Sequence, residues 1–364
     1  MTWTPSDERW MRRALELAQK GQLTTWPNPM VGCVVIENNQ ILGEGWHRRF
    51  GEGHAEVNAL SQVDEGVDLS KATAYVTLEP CSHHGKTPPC ADLLTSRGVG
   101  RVVVAAKDPN PMVAGQGLAR LTETGIEVIA GCLEYEAKEL NQRFFFAMNE
   151  RRPWITLKWA QSHDGFVDPD ERATDGRGGH PLTGTASSRH THALRATHDG
   201  ILVGMRTWLV DRPALSTRHV PGRNPQKFIL TSENASKPDN APAGEDIATL
   251  VVPHAQRQAT VLDTWREAGY EILGIQGLTF SETWWTDFRA QTGIHACMIE
   301  GGAQVAASVL SSDVWDEVHV LTAPIELGSG LKAPALPIGH PAATTALGAD
   351  MLQMWHADQK SSPC

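Results

Sequence analysis

Three side chains with an affinity for soft divalent metals stand far apart in this chain, and any fold it adopts must bring them together. They are His54, in His54-Ala55-Glu56, then Cys81 after Pro80, and finally Cys90. Local patterning predicts where each one sits. A helix begins near His54 and runs to Leu60, Ala72–Leu78 reads as a strand leading to Cys81, and Ala91–Arg97 reads as a helix starting beside Cys90. Two helix starts and one strand end must meet, which asks for strands and helices alternating in layers, an α/β fold. Helix N-termini also favour thiolate. One imidazole and two thiolates fill three positions of a tetrahedral zinc and leave the fourth for water, whose pKa falls to about 7. Glu56 is not a ligand in this reading. It takes the proton of that water and delivers it to a ring nitrogen and the departing ammonia. The pattern therefore implies zinc held by His54, Cys81 and Cys90, with Glu56 catalytic, in a hydrolytic deaminase acting on an amino-bearing heterocycle.

The alternation continues beyond this site. An amphipathic helix over Thr4–Lys20 is expected, capped by Ser6 and Asp7, and Val31–Ile36 with Ile41–Trp46 reads as a hairpin turning at Glu37-Asn38-Asn39-Gln40. A strand follows at Arg101–Ala106, a helix at Gly117–Thr124 and a strand at Glu127–Ala130. The pattern pauses across Leu140–Trp154 and restarts with Ile155–Trp159. At 364 residues the chain is long enough for two domains, and the expected division is 1–147 and 148–364. The second half offers a helix at Ala186–Ala196 and strands at Gly200–Val203, Lys227–Thr231, Thr249–Val252, Ala296–Glu300 and Glu317–Leu321. Polar loops are expected at Asp168–His180 and Asn234–Glu245.

Charge and composition narrow the partners. With 32 Lys+Arg against 42 Asp+Glu the net charge is −10, which argues against a long nucleic acid and leaves room for a small phosphorylated metabolite. No apolar run approaches the ~20 residues of a membrane span. The charged Thr4–Lys20 helix is not a signal peptide, so a reducing, cytoplasmic setting is expected. Cys33, Cys132, Cys297 and Cys364 then read as incidental thiols rather than disulfide partners. Near the metal residues, Asn28 in Pro27-Asn28-Pro29 can present an amide to a base edge, and His47 precedes the zinc helix. The loop Ser82-His83-His84-Gly85-Lys86-Thr87 offers a lysine suited to a phosphate. Farther on, Glu300-Gly301-Gly302 follows a strand and opens a helix, so its free N–H groups suit a pyrophosphate, although it is not the G-x-G-x-x-G of a Rossmann turn.

Taken together, Pro27-Asn28-Pro29-Met30-Val31-Gly32, His54-Ala55-Glu56, the run Thr77–Cys90, Asp108-Pro109-Asn110-Pro111 and Gly115-Gln116-Gly117 resemble the bifunctional riboflavin-biosynthesis deaminase/reductase family. Eight residues separate the two cysteines, as in that family. The tight Pro-Cys-x-x-Cys of tRNA and cytidine deaminases is absent, and with the acidic charge this argues against a nucleic-acid-editing enzyme. In the second half, Leu157-Lys158, Ser162-His163-Asp164-Gly165, Leu194-Arg195-Ala196, Asp199–Gly204, Thr207, Asp211, Pro213-Ala214-Leu215, Arg218, Glu300-Gly301-Gly302 and Leu327–Gly330 resemble the family's reductase domain.

The resemblance implies a cytidine-deaminase-like three-layer domain followed by a dihydrofolate-reductase-like α/β domain. It implies zinc hydrolytic deamination of 2,5-diamino-6-ribosylamino-4(3H)-pyrimidinone 5′-phosphate, then NADPH reduction of the ribosyl unit to ribityl, in a homo-oligomer. By the same resemblance Asn28, His47, His83 and Lys86 would contact the deaminase substrate. Ala160, Pro181, Thr207, Asp211, Ser232, Gly301 and Gly302 would contact NADPH. Lys158, Arg195, Leu215, Arg218 and Glu300 would contact the reductase substrate, with Arg195 and Arg218 on its phosphate. Two positions depart from the family: Pro181 stands where many members have Trp, and Arg212 lies in Asp211-Arg212-Pro213. They motivate an alternative in which the second half is a degenerate, non-catalytic reductase fold.

Overall fold

The computed structural model describes residues 3–82, 88–110, 114–169, 181–231, 248–253, 259–277 and 279–357. His83, Lys86, Ser232, Cys364, the expected loop at Asn234–Glu245 and most of that at Asp168–His180 lie outside them. Chain contacts divide the protein into residues 1–150 and 151–364. The division falls a little beyond residue 147 because Gln142–Asn149 is a helix of the first unit.

The first unit runs α1 (Pro5–Gln19), β1 (Gly32–Glu37), β2 (Gln40–Trp46), α2 (Ala55–Leu60), β3 (Thr73–Leu78), α3 (Cys90–Ser96), β4 (Arg101–Ala106), α4 (Gln116–Glu123), β5 (Glu127–Ala130), α5 (Glu134–Leu140) and α6 (Gln142–Asn149). The cap of α1 is Thr4. Pro5 presets the first helical residue, and Asp7 completes a capping box with Thr4. The β1–β2 turn places Asn38 and Asn39 at φ 49° and 63°, the left-handed backbone that Asn tolerates in a tight hairpin.

The five strands are ordered β2-β1-β3-β4-β5, with β3, β4 and β5 parallel and β1 antiparallel to both of its neighbours. Alternate residues feed two cores. Val34, Tyr75 and Val103 pack with Trp10, Met11 and Ala14 of α1, while Val35, Val76 and Val104 pack with Ala59, Leu94 and Leu121 of α2, α3 and α4. The result is a three-layer sandwich. The second layer is tight: a Cβ on Gly45 of β2 would come within 2.5 Å of the Ala59 backbone nitrogen, so glycine there lets α2 lie close to the sheet.

The second unit contains β6 (Trp154–Ser162), β7 (Phe166–Asp168), α7 (Thr185–Ala196), β8 (Gly200–Gly204), α8 (Met205–Asp211), β9 (Gln226–Leu230), β10 (Ala248–Pro253), α9 (Ala259–Glu267), β11 (Glu271–Ile275), α10 (Glu282–Thr292), β12 (Ala296–Glu300), α11 (Ala303–Ser312), β13 (Glu317–Ala323), β14 (Leu331–Lys332), β15 (Ala343–Leu347) and β16 (Asp350–His356). Nine strands form one sheet ordered β11-β10-β9-β8-β12-β6-β13-β16-β15, parallel through β13 and closed by the antiparallel β16–β15 hairpin. An aromatic cluster of Phe228, Phe280, Trp284, Trp285 and Phe288 fills one core. Ile201, Leu250, Trp265 and Tyr270 anchor the other. Among the described residues no helix is long and apolar enough to cross a membrane.

Candidate metal centre and second cavity

The three soft donors of the first unit converge. His54 is the N-cap of α2, Cys90 opens α3, and Cys81 follows β3 after Glu79 and Pro80. His54 Nδ1 lies 3.7 Å from Cys81 Sγ and 3.3 Å from Cys90 Sγ, and all three ligand atoms are within 4.8 Å of one another. The Cys90 backbone N–H donates to Cys81 Sγ at 3.3 Å. Cys81 is drawn down to about 4, first by the Cys90 thiol and then by His54 and that N–H. The same thiol contact, with burial, pushes Cys90 up. His54 is raised, chiefly by Cys81. A thiolate-bearing N/S/S set of this size fits a tetrahedral zinc with one position left for a non-protein ligand. Glu56 is 3 % exposed, and burial raises its pKa from the ordinary carboxylate value.

Around this centre, Asn28 Nδ2 lies 3.2 Å from His47 Nε2, and His47 Nδ1 lies 3.2 Å from the Gly53 carbonyl. His47 is held below its ordinary pKa, first by burial. Two residues without an assigned role in the sequence reading hold the surrounding backbone. Glu79 is 4 % exposed, and its Oε2 accepts from the N–H groups of Asp108 (3.2 Å) and Gly115 (3.0 Å). Its Oε1 accepts from those of Gly117 (2.9 Å) and Leu118 (3.3 Å). Asn141, between α5 and α6, accepts from the Met30 N–H and donates to the Met30 carbonyl, both at 2.8 Å.

The second unit carries a cavity of about 810 Å³ outside the carboxyl ends of β8, β9 and β12. Open parallel sheets bind ligands in that position. Of the residues named from sequence, Lys158, Ala160, Pro181, Arg195, Thr207, Asp211, Leu215, Glu300, Gly301 and Gly302 line it. Arg218 does not, being exposed on a loop with its guanidinium 3.4 Å from Ser216 Oγ. Gly301 and Gly302 have φ of 87° and 78°, and a Cβ on either would press on Thr207 at 3.1 Å or 3.4 Å.

Arg195 donates to both oxygens of Glu300 at 2.7 Å and to the Ser216 carbonyl at 2.9 Å. Lys158 Nζ stands 3.5 Å from Glu300. Burial opposes the charge on Glu300, but Lys158 and Arg195 outweigh it and hold its pKa at about 2. Burial draws Lys158 downward, opposed by Glu300. A polar network not anticipated from sequence lies behind Lys158, whose strand neighbour on β13 is His319. His319 Nδ1 is 3.0 Å from His190 Nε2, and His319 Nε2 is 2.9 Å from Glu317 Oε1. Burial, with His319 and Lys158, lowers His190 to about 4.

With this geometry in view, comparison with known proteins places the chain. Residues 4–106 match the cytidine and deoxycytidylate deaminase zinc-binding region, and residues 153–347 match the RibD C-terminal domain. The riboflavin biosynthesis protein RibD of Aquifex aeolicus is 37% identical over 91% of this chain and 91% of its own length.

The chain belongs to the RibD family.

The RibD of Escherichia coli K12 is 36% identical over 90% of each chain. Among solved structures, Acinetobacter baumannii RibD superposes with a TM-score of 0.79 at 33% identity, covering 96% of this chain and 98% of that one. The diaminohydroxyphosphoribosylaminopyrimidine deaminase/5-amino-6-(5-phosphoribosylamino)uracil reductase of Thermotoga maritima superposes with a TM-score of 0.77 at 31% identity, covering 98% and 99%. The first unit is thus the zinc-binding, cytidine-deaminase-like part of a RibD protein, and the second is its reductase domain.

Proposed function

We propose that the chain performs two successive steps of riboflavin synthesis, deaminating a diaminopyrimidinone ribosyl phosphate in the first unit and reducing the ribosyl group with NADPH in the second. The convergence of His54, Cys81 and Cys90 beside a buried Glu56 carries this reading. Bound zinc supplies a hydroxide at neutral pH. Glu56, buried beside the three ligands, would take one proton from the attacking water and pass it to the ring nitrogen, then carry the proton of the newly formed hydroxyl to the amino group that leaves as ammonia. Asn28 would face the base, and the family resemblance assigns His83 and Lys86 to the same substrate.

In the second unit NADPH supplies the hydride when bound. The Gly301 and Gly302 N–H groups and the Thr207 hydroxyl would hold its pyrophosphate, with Ala160, Pro181 and Asp211 of the same cavity beside it, and the family resemblance adds Ser232. Glu300, kept ionised, would fix Lys158 and Arg195 against the sugar, with Leu215 beside it; Arg218, expected on the phosphate, lies outside this cavity.

Glu56→Gln tests the first step. Zinc content should be unchanged while ammonia release falls by a factor of about 10² or more; surviving deamination removes Glu56 from the chemistry. Loss of nicotinamide absorbance with the deaminated intermediate tests the second. No loss would favour a non-catalytic reductase fold.

A further inference from the structure

Beside His54 runs a hydrogen-bond chain whose direction is fixed by its first member. The Gly53 carbonyl can only accept, so the His47 Nδ1 facing it at 3.2 Å carries the proton. In a neutral ring Nε2 is then bare, and the atom 3.2 Å away must donate: the Asn28 amide turns its NH₂ toward His47. The Asn28 Oδ1 consequently points the other way, and no described group donates to it.

The same Gly53 carbonyl also accepts from Asn58 Nδ2 at 3.1 Å, and that nitrogen donates to the Trp46 carbonyl at 2.8 Å. The start of the chain is therefore held from two sides. His47 is 3 % exposed, whereas Asn28 is half-buried, so Asn28 is the more accessible of the two. The chain stands next to the metal site, with the His47 and His54 rings edge-on at 5.7 Å.

We propose that His47 is a positioning residue that locks the Asn28 amide with its carbonyl toward the deaminase cleft, so that the cleft selects heterocycles presenting an N–H donor at that point. This rests on the deaminase reading and refines it: both ring nitrogens of His47 are engaged, so it acts through Asn28 rather than on the substrate. With the lock removed, the amide can flip, and it offers its donor as often as its acceptor.

The zinc-loaded full-length protein, labelled with ¹⁵N-histidine, tests this directly. Long-range ¹H–¹⁵N correlation, with the His47 signals assigned by their loss in His47→Gln, should show a protonated Nδ1 and a bare Nε2. The opposite tautomer, or a doubly protonated ring, overturns the proposal. Kinetics on the diaminopyrimidinone ribosyl phosphate provide the second arm. His47→Phe should raise KM about tenfold with little change in kcat, and His47→Gln, which keeps an acceptor for Asn28, should recover most of that loss. Equal impairment of the two variants also overturns it. If the expected tautomer is seen but the wild-type protein releases no ammonia, the deaminase reading fails and the positioning by His47 stands.

Discussion

Replacing Glu79 with alanine should cost the first unit about 4 kcal/mol. The carboxylate accepts four backbone N–H groups, and the one from Gly117 is fully buried. A hydrogen bond to a charged group contributes about 1.5–3 kcal/mol net. Crediting the buried bond with about 2 kcal/mol, and each of the three that water can reach with roughly 0.5–1, gives about 4 in all. For a unit of this size that corresponds to a fall in midpoint of roughly 8–16 °C. Thermal unfolding of the zinc-saturated protein, followed by capture of released zinc with a chromophoric chelator, reads the first unit specifically. Glu79→Gln should lie between, since it keeps one acceptor oxygen and turns an NH₂ against the other donors. A midpoint within about 3 °C of wild type in Glu79→Ala would mean that water replaces the carboxylate at little cost and that the segment from Asp108 to Leu118 is held by other contacts.

Asp7 supplies a pH dependence. Burial opposes its charge, but Arg101, Thr4 and Tyr75 outweigh burial and hold its pKa well below the ordinary 3.8. Its stabilisation is therefore complete above about pH 4 and is lost as pH falls below that; denaturant midpoints measured between pH 5 and pH 2 should flatten in Asp7→Asn, and an unchanged slope would assign the acid limb to other groups. Gly302→Ala should weaken NADPH about tenfold by nicotinamide fluorescence titration, because φ of 78° is strained for alanine and the new Cβ crowds Thr207; unaltered affinity would remove this turn from cofactor binding.

The metal centre was legible because its ligands are chemically scarce and each lies at the end of a clearly periodic segment. The strands and helices next to them follow for the same reason. The cap of α1 was displaced from Ser6 and Asp7 to Thr4 because Pro5 sets the first turn and Asp7 is drawn toward Arg101 and Tyr75, which are distant in sequence. Helices α5 and α6 were not visible: three consecutive phenylalanines carry no helical period, and only packing against the sheet tells which side is inward. The β15–β16 hairpin escaped because β15 is an exposed edge with little apolar alternation. The His190–His319–Glu317 network depends on α7 meeting β13, a juxtaposition that no local pattern encodes.

The paired hydrogen bonds between Asn141 and Met30 bear on how short a piece of this chain could work as a deaminase on its own. The zinc-binding match ends at residue 106, and a fragment cut there would keep every metal ligand and Glu56. It would also remove the side-chain partner of the Met30 N–H and carbonyl, two residues after Asn28, and leave that turn to water. A dissected enzyme should therefore extend past Asn141, and on the proposed role of Asn28 a fragment ending short of Asn141 would keep the metal ligands while holding the pyrimidine less well.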